Sequence, residues 1–166
     1  MAEESTATYR FGDLLGLAMQ SWVGQLTSRL ERLGYADFRR GDTAAVRMLW
    51  RDPLPVGRLG AALGVTRQAA RKIADGLEQR GYVTTERDSR DTRQLNVMLT
   101  PLGRDYALVI ILVIEELNRE VAGRVSPDQL AAADTVLRAA LFDDSARQRA
   151  SQVPRPPGEP SAGARS

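Results

Sequence analysis

The 166-residue sequence predicts a mainly α fold with a small β-hairpin: a winged helix-turn-helix domain between long N- and C-terminal dimerisation helices. Three observations carry that expectation. Apolar residues recur at three- and four-residue steps through most of the chain, as on amphipathic helices. Two short helical segments are joined by a tight turn, "GVT" at 64–66. Directly after them comes "TTERDSRDTRQLNVMLT" (84–100), in which β-prone flanks enclose a charged centre, the pattern of a hairpin with a polar tip.

Residues 1–9 are expected to be a flexible N-terminus. Phe11, Leu14, Leu15, Ala18, Trp22, Leu26, Leu30 and Leu33 then share one face of a long first helix, assigned to 10–35 as an N-terminal dimerisation element. "GYADFRRGD" breaks the pattern, and "TAAVRMLWRD" gives a shorter helix ended by Pro53. The RGD tripeptide at 40–42 is read as coincidence. "PVGRLGAAL" (55–63) is a third helix, with Pro55 at its start and Gly64 just past its end. Thr66 caps the fourth, "RQAARKIADGLEQR", which Gly81 stops; this is the recognition helix, 66–80. The wing occupies 83–99 and completes a DNA-binding domain over 36–100. Thr100 and Pro101 begin a fifth helix reaching about Ala122, and Ser126 with Pro127 begins a sixth ending near Phe142, so that 101–142 form the C-terminal dimerisation helices. Residues 143–166, rich in Pro, Ser and Arg without apolar periodicity, are expected to be a disordered tail.

Composition excludes much chemistry. The chain has no cysteine and no histidine, hence no disulfide, no thiolate zinc site and none of the commonest general base or metal ligand. No phosphate-binding glycine loop or cluster of catalytic carboxylates is visible, so neither an enzyme nor a cofactor or metal is expected. The longest apolar run, "YALVIILVI" (106–114), is about half the roughly 20 residues a membrane helix needs, and no secretory leader is seen. A cytoplasmic protein without a membrane partner is the expectation. Basic character is almost wholly arginine, with Lys72 the single lysine. Arginine suits phosphate and guanine, which are planar or bidentate targets.

On the fourth helix, Ala69, Ala70, Ile73 and Leu77 share the side expected to pack inward. Arg67, Gln68, Arg71 and Lys72, after Thr66, are left on the other side within the first two turns. That end of a recognition helix meets the major groove. Arg71 suits the O6 and N7 acceptors of guanine and Gln68 those of adenine, while Lys72 and Arg67 suit phosphate. The plainer alternative is a solvated face with Arg71 paired to Asp75 at i and i+4. On the wing, Arg90 projects furthest and suits the narrow, negative minor groove; Arg87 adds a second basic contact. Asp88 is expected to brace the tip by accepting turn hydrogen bonds and pairing with Arg93. Mid-helix Gly76 has no account at this level, since glycine there costs about 1 kcal/mol relative to alanine.

The stretch "LGVTRQAARKIADGLEQRGYV", the wing "DSRDTR" in a D-x-R-x-x-R pattern, and "LTPLGR" leading into the next helix together resemble the DNA-binding domain of the multiple-antibiotic-resistance regulator (MarR) family of bacterial transcription factors. With its flanking helices the resemblance spans about residues 10 to 142. It implies that Arg90 is the wing-tip arginine entering the minor groove, supported by Asp88 and Arg93. It also implies a homodimer held by the first and last helices and, often, release from DNA by a small ligand.

The residues support dimerisation independently, because "YALVIILVI" is apolar nearly all round and must be covered on more than one side. Phe11, Leu14, Ile110, Val113, Ile114, Leu137, Leu141 and Phe142 are the expected interface. Trp22, Tyr35, Phe38, Arg39, Trp50 and Tyr106 are the expected pocket for a small apolar or aromatic effector. The expected function is a homodimeric, sequence-specific DNA-binding transcriptional regulator, a repressor of a pseudo-palindromic operator released by that effector. The alternative is a winged-helix module for protein contacts.

Overall fold

A computed structural model of the chain describes residues 10–87 and 94–152, which divide into two compact units, one up to Ser126 and one from Pro127 onward. The first unit holds α1 (Phe11–Arg32), α2 (Asp42–Leu49), β1 (Leu54–Pro55), α3 (Val56–Leu63), α4 (Arg67–Gln79), β2 (Val83–Arg87), β3 (Leu95–Leu99) and α5 (Pro101–Ala122). The three strands form an antiparallel sheet in the order β1-β3-β2, with Leu54 opposite Val97 and Val83 opposite Leu99. Strand β1 is absent from the sequence reading. Two residues carry no periodicity, and the pairing with β3 is set by tertiary contact.

Each helix begins and ends where its residues dictate. Thr66 and Thr100, both extended, accept hydrogen bonds from Ala69 N and Gly103 N and so satisfy orphan donors at the starts of α4 and α5. Gly64 (φ 69°) and Gly81 (φ 76°) end α3 and α4 in the left-handed conformation that other residues avoid. After Gly81, the Tyr82 amide bonds the Leu77 carbonyl at 2.9 Å and turns the chain into β2.

The core gathers Leu26 and Leu30 of α1, Val46, Leu59, Leu77, Val97, Tyr106 and Ile110. Each fully buried aliphatic side chain contributes about 1.5–3 kcal/mol. Helix α5 packs against α1 and α2 and buries Tyr106, Ala107, Ile110, Val113 and Leu117 along one face. The expectation that Ile110 and Val113 are dimer contacts is therefore corrected. They are 0% and 4% exposed within a single chain and have no surface left for a partner. Ile114 is partly buried against the same core, whereas Leu108 and Leu112 on the outer side of α5 are exposed. A helix apolar nearly all round hides from sequence which side meets its own chain.

One polar cluster lies inside this core. Asp42 is buried, and both its carboxylate oxygens accept hydrogen bonds. Its Oδ2 accepts from Arg80 Nη1 (2.7 Å), Tyr106 Oη (2.8 Å) and the Arg39 amide (3.0 Å), and its Oδ1 from Arg80 Nη2 (2.9 Å). Arg80 also donates to the carbonyls of Gly76 and Asp37, so it caps α4 while holding the 34–41 loop. Tyr82 stacks on Tyr106 at 4.0 Å and donates to Asp37. The guanidinium of Arg80 is held charged above its ordinary range, first by its hydrogen bond to Asp42. Buried charges persist only when so paired.

The same cluster gives an alkaline limit. Burial, then the Asp37 carboxylate, pushes the Tyr82 hydroxyl up to about 12, and burial raises Tyr106 further. A raised folded-state value means that the stabilisation is complete below the unfolded value of about 10 and is lost as pH rises through the folded one. Denaturant titrations should show stability falling between pH 10 and 12, with Tyr82 alone contributing on the order of 2 kcal/mol and a correspondingly shallower fall in Tyr82→Phe. Equal slopes in the two proteins would place the loss elsewhere.

The second unit contains α6 (Pro127–Ala139) and α7 (Asp144–Gln152). No residue of α6 is buried, and Leu130, Val136 and Leu137 are exposed. Helix α7 corrects the expectation that structure ends at 143. It lacks an apolar stripe but is nucleated by polar contacts: Asp143 accepts from the Ala146 amide at 2.6 Å and from the Ser145 hydroxyl, and Arg147 pairs with Asp144. Residues 1–9 and 153–166 lie outside the described residues, so the expectations for both ends stop there. No helix among the described residues is long and apolar enough to cross a membrane.

Candidate nucleic-acid interface

Helix α4 divides cleanly by face. Ala70, Ala74 and Leu77 are buried and Ile73 packs against the core, while Thr66, Arg67, Gln68, Arg71 and Lys72 are exposed. The first turn holds no acid, so Arg67 adds to the positive end of the helix dipole. For folding this is mildly unfavourable; for an approaching phosphate it is attractive. Arg67, Gln68 and Arg71 line an open depression of about 600 Å³ whose apolar part comes from Val56 of α3 and Leu95 of β3. The basic end of α4 and the base of the hairpin therefore border one concave surface.

The alternative pairing of Arg71 is also present. Its Nε donates to Asp75 Oδ1 at 2.7 Å, with both side chains nearly half exposed. Helix and hairpin are fastened together by Glu78, whose Oε1 accepts from the Thr85 amide (2.9 Å) and hydroxyl (2.8 Å). Sequence reasoning missed Glu78, Arg80 and Asp42. An acid on a helix facing a strand threonine, or at the first residue of a helix facing a distant arginine, has no periodic pattern to mark it.

On the wing, Arg87 is exposed at the end of β2 opposite Leu95. Asp88, Arg90 and Arg93 lie outside the described residues, as does the expected pairing of Asp88 with Arg93. Gly76 does acquire an account. It is buried, its carbonyl accepts from Arg80, and a Cβ there would stand 3.2 Å from Arg39 Nη1, so the missing side chain makes room for the loop arginine against α4.

Residues expected to form an effector pocket are divided in place. Trp22, Tyr35 and Phe38 are partly buried against the core, Trp50 is exposed, and Arg39 is exposed over Gly76. Tyr106 is corrected to a core residue, since it is fully buried, its hydroxyl is bonded to Asp42, and its ring contacts Tyr35 and Tyr82.

Residues 43–94, from α2 through the wing, match a model described as the MarR family. Over that segment, about a third of the chain, the sequence is similar to the MarR family. No curated protein matches the chain. Among solved structures, the MarR-type fold aligns with Streptococcus pneumoniae FabT in complex with DNA at TM-score 0.73 and 16% identity, over 80% of this chain and 94% of that one. The S. aureus MepR–DNA complex aligns at TM-score 0.70 and 18% identity, over 80% and 95%. BldR from Sulfolobus solfataricus, a transcriptional regulator, aligns at 0.62 and 23%, over 78% and 94%. At these identities the likeness establishes a shared MarR-type fold.

Proposed function

We propose that the protein is a homodimeric, sequence-specific DNA-binding transcriptional regulator that acts as a repressor. The observation that carries this reading is the exposed row Arg67, Gln68, Arg71 and Lys72 in the first two turns of α4, bordering the wing base. Four side chains with phosphate- and base-binding chemistry stand where a helix of this kind enters the major groove. FabT and MepR, which share the fold, are seen bound to DNA.

Dimerisation is supported by apolar surface that a lone chain leaves uncovered. Along α1 Phe11 and Leu14 are exposed, as are Leu137 and Phe142, the last at 87%, while Leu141 is partly buried. A 13-residue helix such as α6 with no buried residue is marginal in water and calls for a partner. A second copy supplies one to both terminal segments, and its two-fold axis sets the recognition helices over half-sites about 10 bp apart. Release by a small apolar or aromatic effector, through Trp22, Tyr35, Phe38, Arg39 and Trp50, completes the proposal.

Light scattering should give twice the 18.2 kDa chain mass. Affinity for duplex DNA should fall with salt at a log-log slope near −0.9 per neutralised phosphate, and Lys72→Ala should reduce that slope by about 1. A salt-insensitive parent, or a monomer that binds at full strength, would overturn the reading.

A further inference from the structure

We propose that Asp75 is a positioning residue for base discrimination, holding Arg71 side-on so that its terminal nitrogens face DNA as a fixed fork. The inference rests on the DNA-reading role of α4 proposed above and adds a residue to it. Guanidinium offers acceptors a side edge, Nε with one Nη–H, and an end edge made by the Nη pair. Asp75 takes Nε at 2.7 Å, from the next turn of the same helix. Neither Nη of Arg71 has a protein partner among the described residues, and Arg71 lines the open depression beside Leu95. The Nη pair is the end that matches guanine O6 and N7 together. Helix stability does not explain the contact, because an exposed i, i+4 pair adds little to folding.

An acid so near phosphate has two opposed effects. It repels the DNA backbone, which weakens binding to every sequence. It also removes freedom from Arg71 before contact, so that less ordering is required when the correct base is met. Loss of Asp75 should therefore raise general affinity and lower selectivity together. A purely structural Asp75 would produce the first effect without the second.

The experiment uses the full chain, a duplex enriched by selection with the parent protein, and variants of that duplex with the Arg71-dependent guanine replaced. That base is identified as the position where Arg71→Ala loses discrimination. Dissociation constants are measured at one salt concentration for the parent, Asp75→Ala, Asp75→Asn and Arg71→Lys, with circular dichroism to confirm folding. The parent should prefer guanine by about tenfold or more. Asp75→Ala should bind random duplex more tightly yet reduce that preference several-fold, towards the Arg71→Lys value. Asp75→Asn, which keeps an acceptor oxygen, should fall between. Selective binding by the parent with an unchanged preference in Asp75→Ala overturns this proposal alone. A parent that prefers no sequence overturns the DNA-reading role, and this proposal with it.

Discussion

Gly103→Ala should destabilise the protein by more than about 4 kcal/mol, although alanine is the better helix former by about 1 kcal/mol. A Cβ at Gly103 would stand 1.7 Å from the Tyr82 carbonyl oxygen, 2.7 Å from its carbon and 3.1 Å from its Cα. All three are backbone atoms, so no rotamer change relieves the clash. The oxygen itself is held by the Thr100 amide at 3.1 Å, and the Thr100 hydroxyl is bonded to the Gly81 carbonyl. Relief requires lifting α5 off the start of β2, which opens the stack of Tyr82 on Tyr106 and exposes core. Gly57→Ala is the control. It lies in α3 with nothing within 4 Å of the added carbon, and should leave stability unchanged or raise it by about 0.5–1 kcal/mol. Denaturant midpoints of the two variants decide the matter, and a Gly103→Ala protein as stable as the parent would contradict the packing described.

Asp42→Ala should cost about 3–5 kcal/mol, the range expected when one member of a buried ion pair is removed. The loss goes beyond one contact. The Arg80 side chain, 12% exposed, would keep its charge without its bidentate partner, and the Tyr106 hydroxyl and Arg39 amide would lose their acceptor in the same step. Removing Arg80 as well should therefore add much less than its single-variant loss, because the stranded charge disappears. Arg80→Lys should restore little, since an ammonium cannot donate to both oxygens of Asp42 while bonding the Gly76 and Asp37 carbonyls. Urea titrations of the two single variants and the double variant test this; strict additivity would show that the network is not acting as a unit.

These two residues mark where the sequence was opaque. The helix succession, Thr66 and Thr100 as caps, Gly64 and Gly81 as stops, and the exposed row on α4 are legible because each depends on neighbours within a turn or two. Gly103 depends instead on a carbonyl 21 positions earlier, and Asp42 on partners 38 and 64 positions away, for which local pattern holds no mark. Asp42 is the buried hub of this polar cluster, a role that its place in the RGD tripeptide does not mark. Helix α5 failed in the opposite manner. Its periodicity was saturated by Leu, Ile and Val, so the inward face through Ile110 and Val113 became indistinguishable from the outward one at Leu108 and Leu112. Helix α7 was missed because side-chain contacts at its first residues, without an apolar stripe, hold its start.

The tie between Glu78 and Thr85 has a mechanical consequence. With the Leu77 carbonyl bonded to Tyr82 and Glu78 clamped to the strand, the C-terminal half of α4 and the base of the wing have no hinge between them. A turn of this part of α4 carries the wing base with it, so the backbones that bear Arg71 and Arg87 move together. A rotation of this unit about its seat on the surrounding helices would carry both side chains at once. A small angular slip at that seat becomes a larger sweep at the ends.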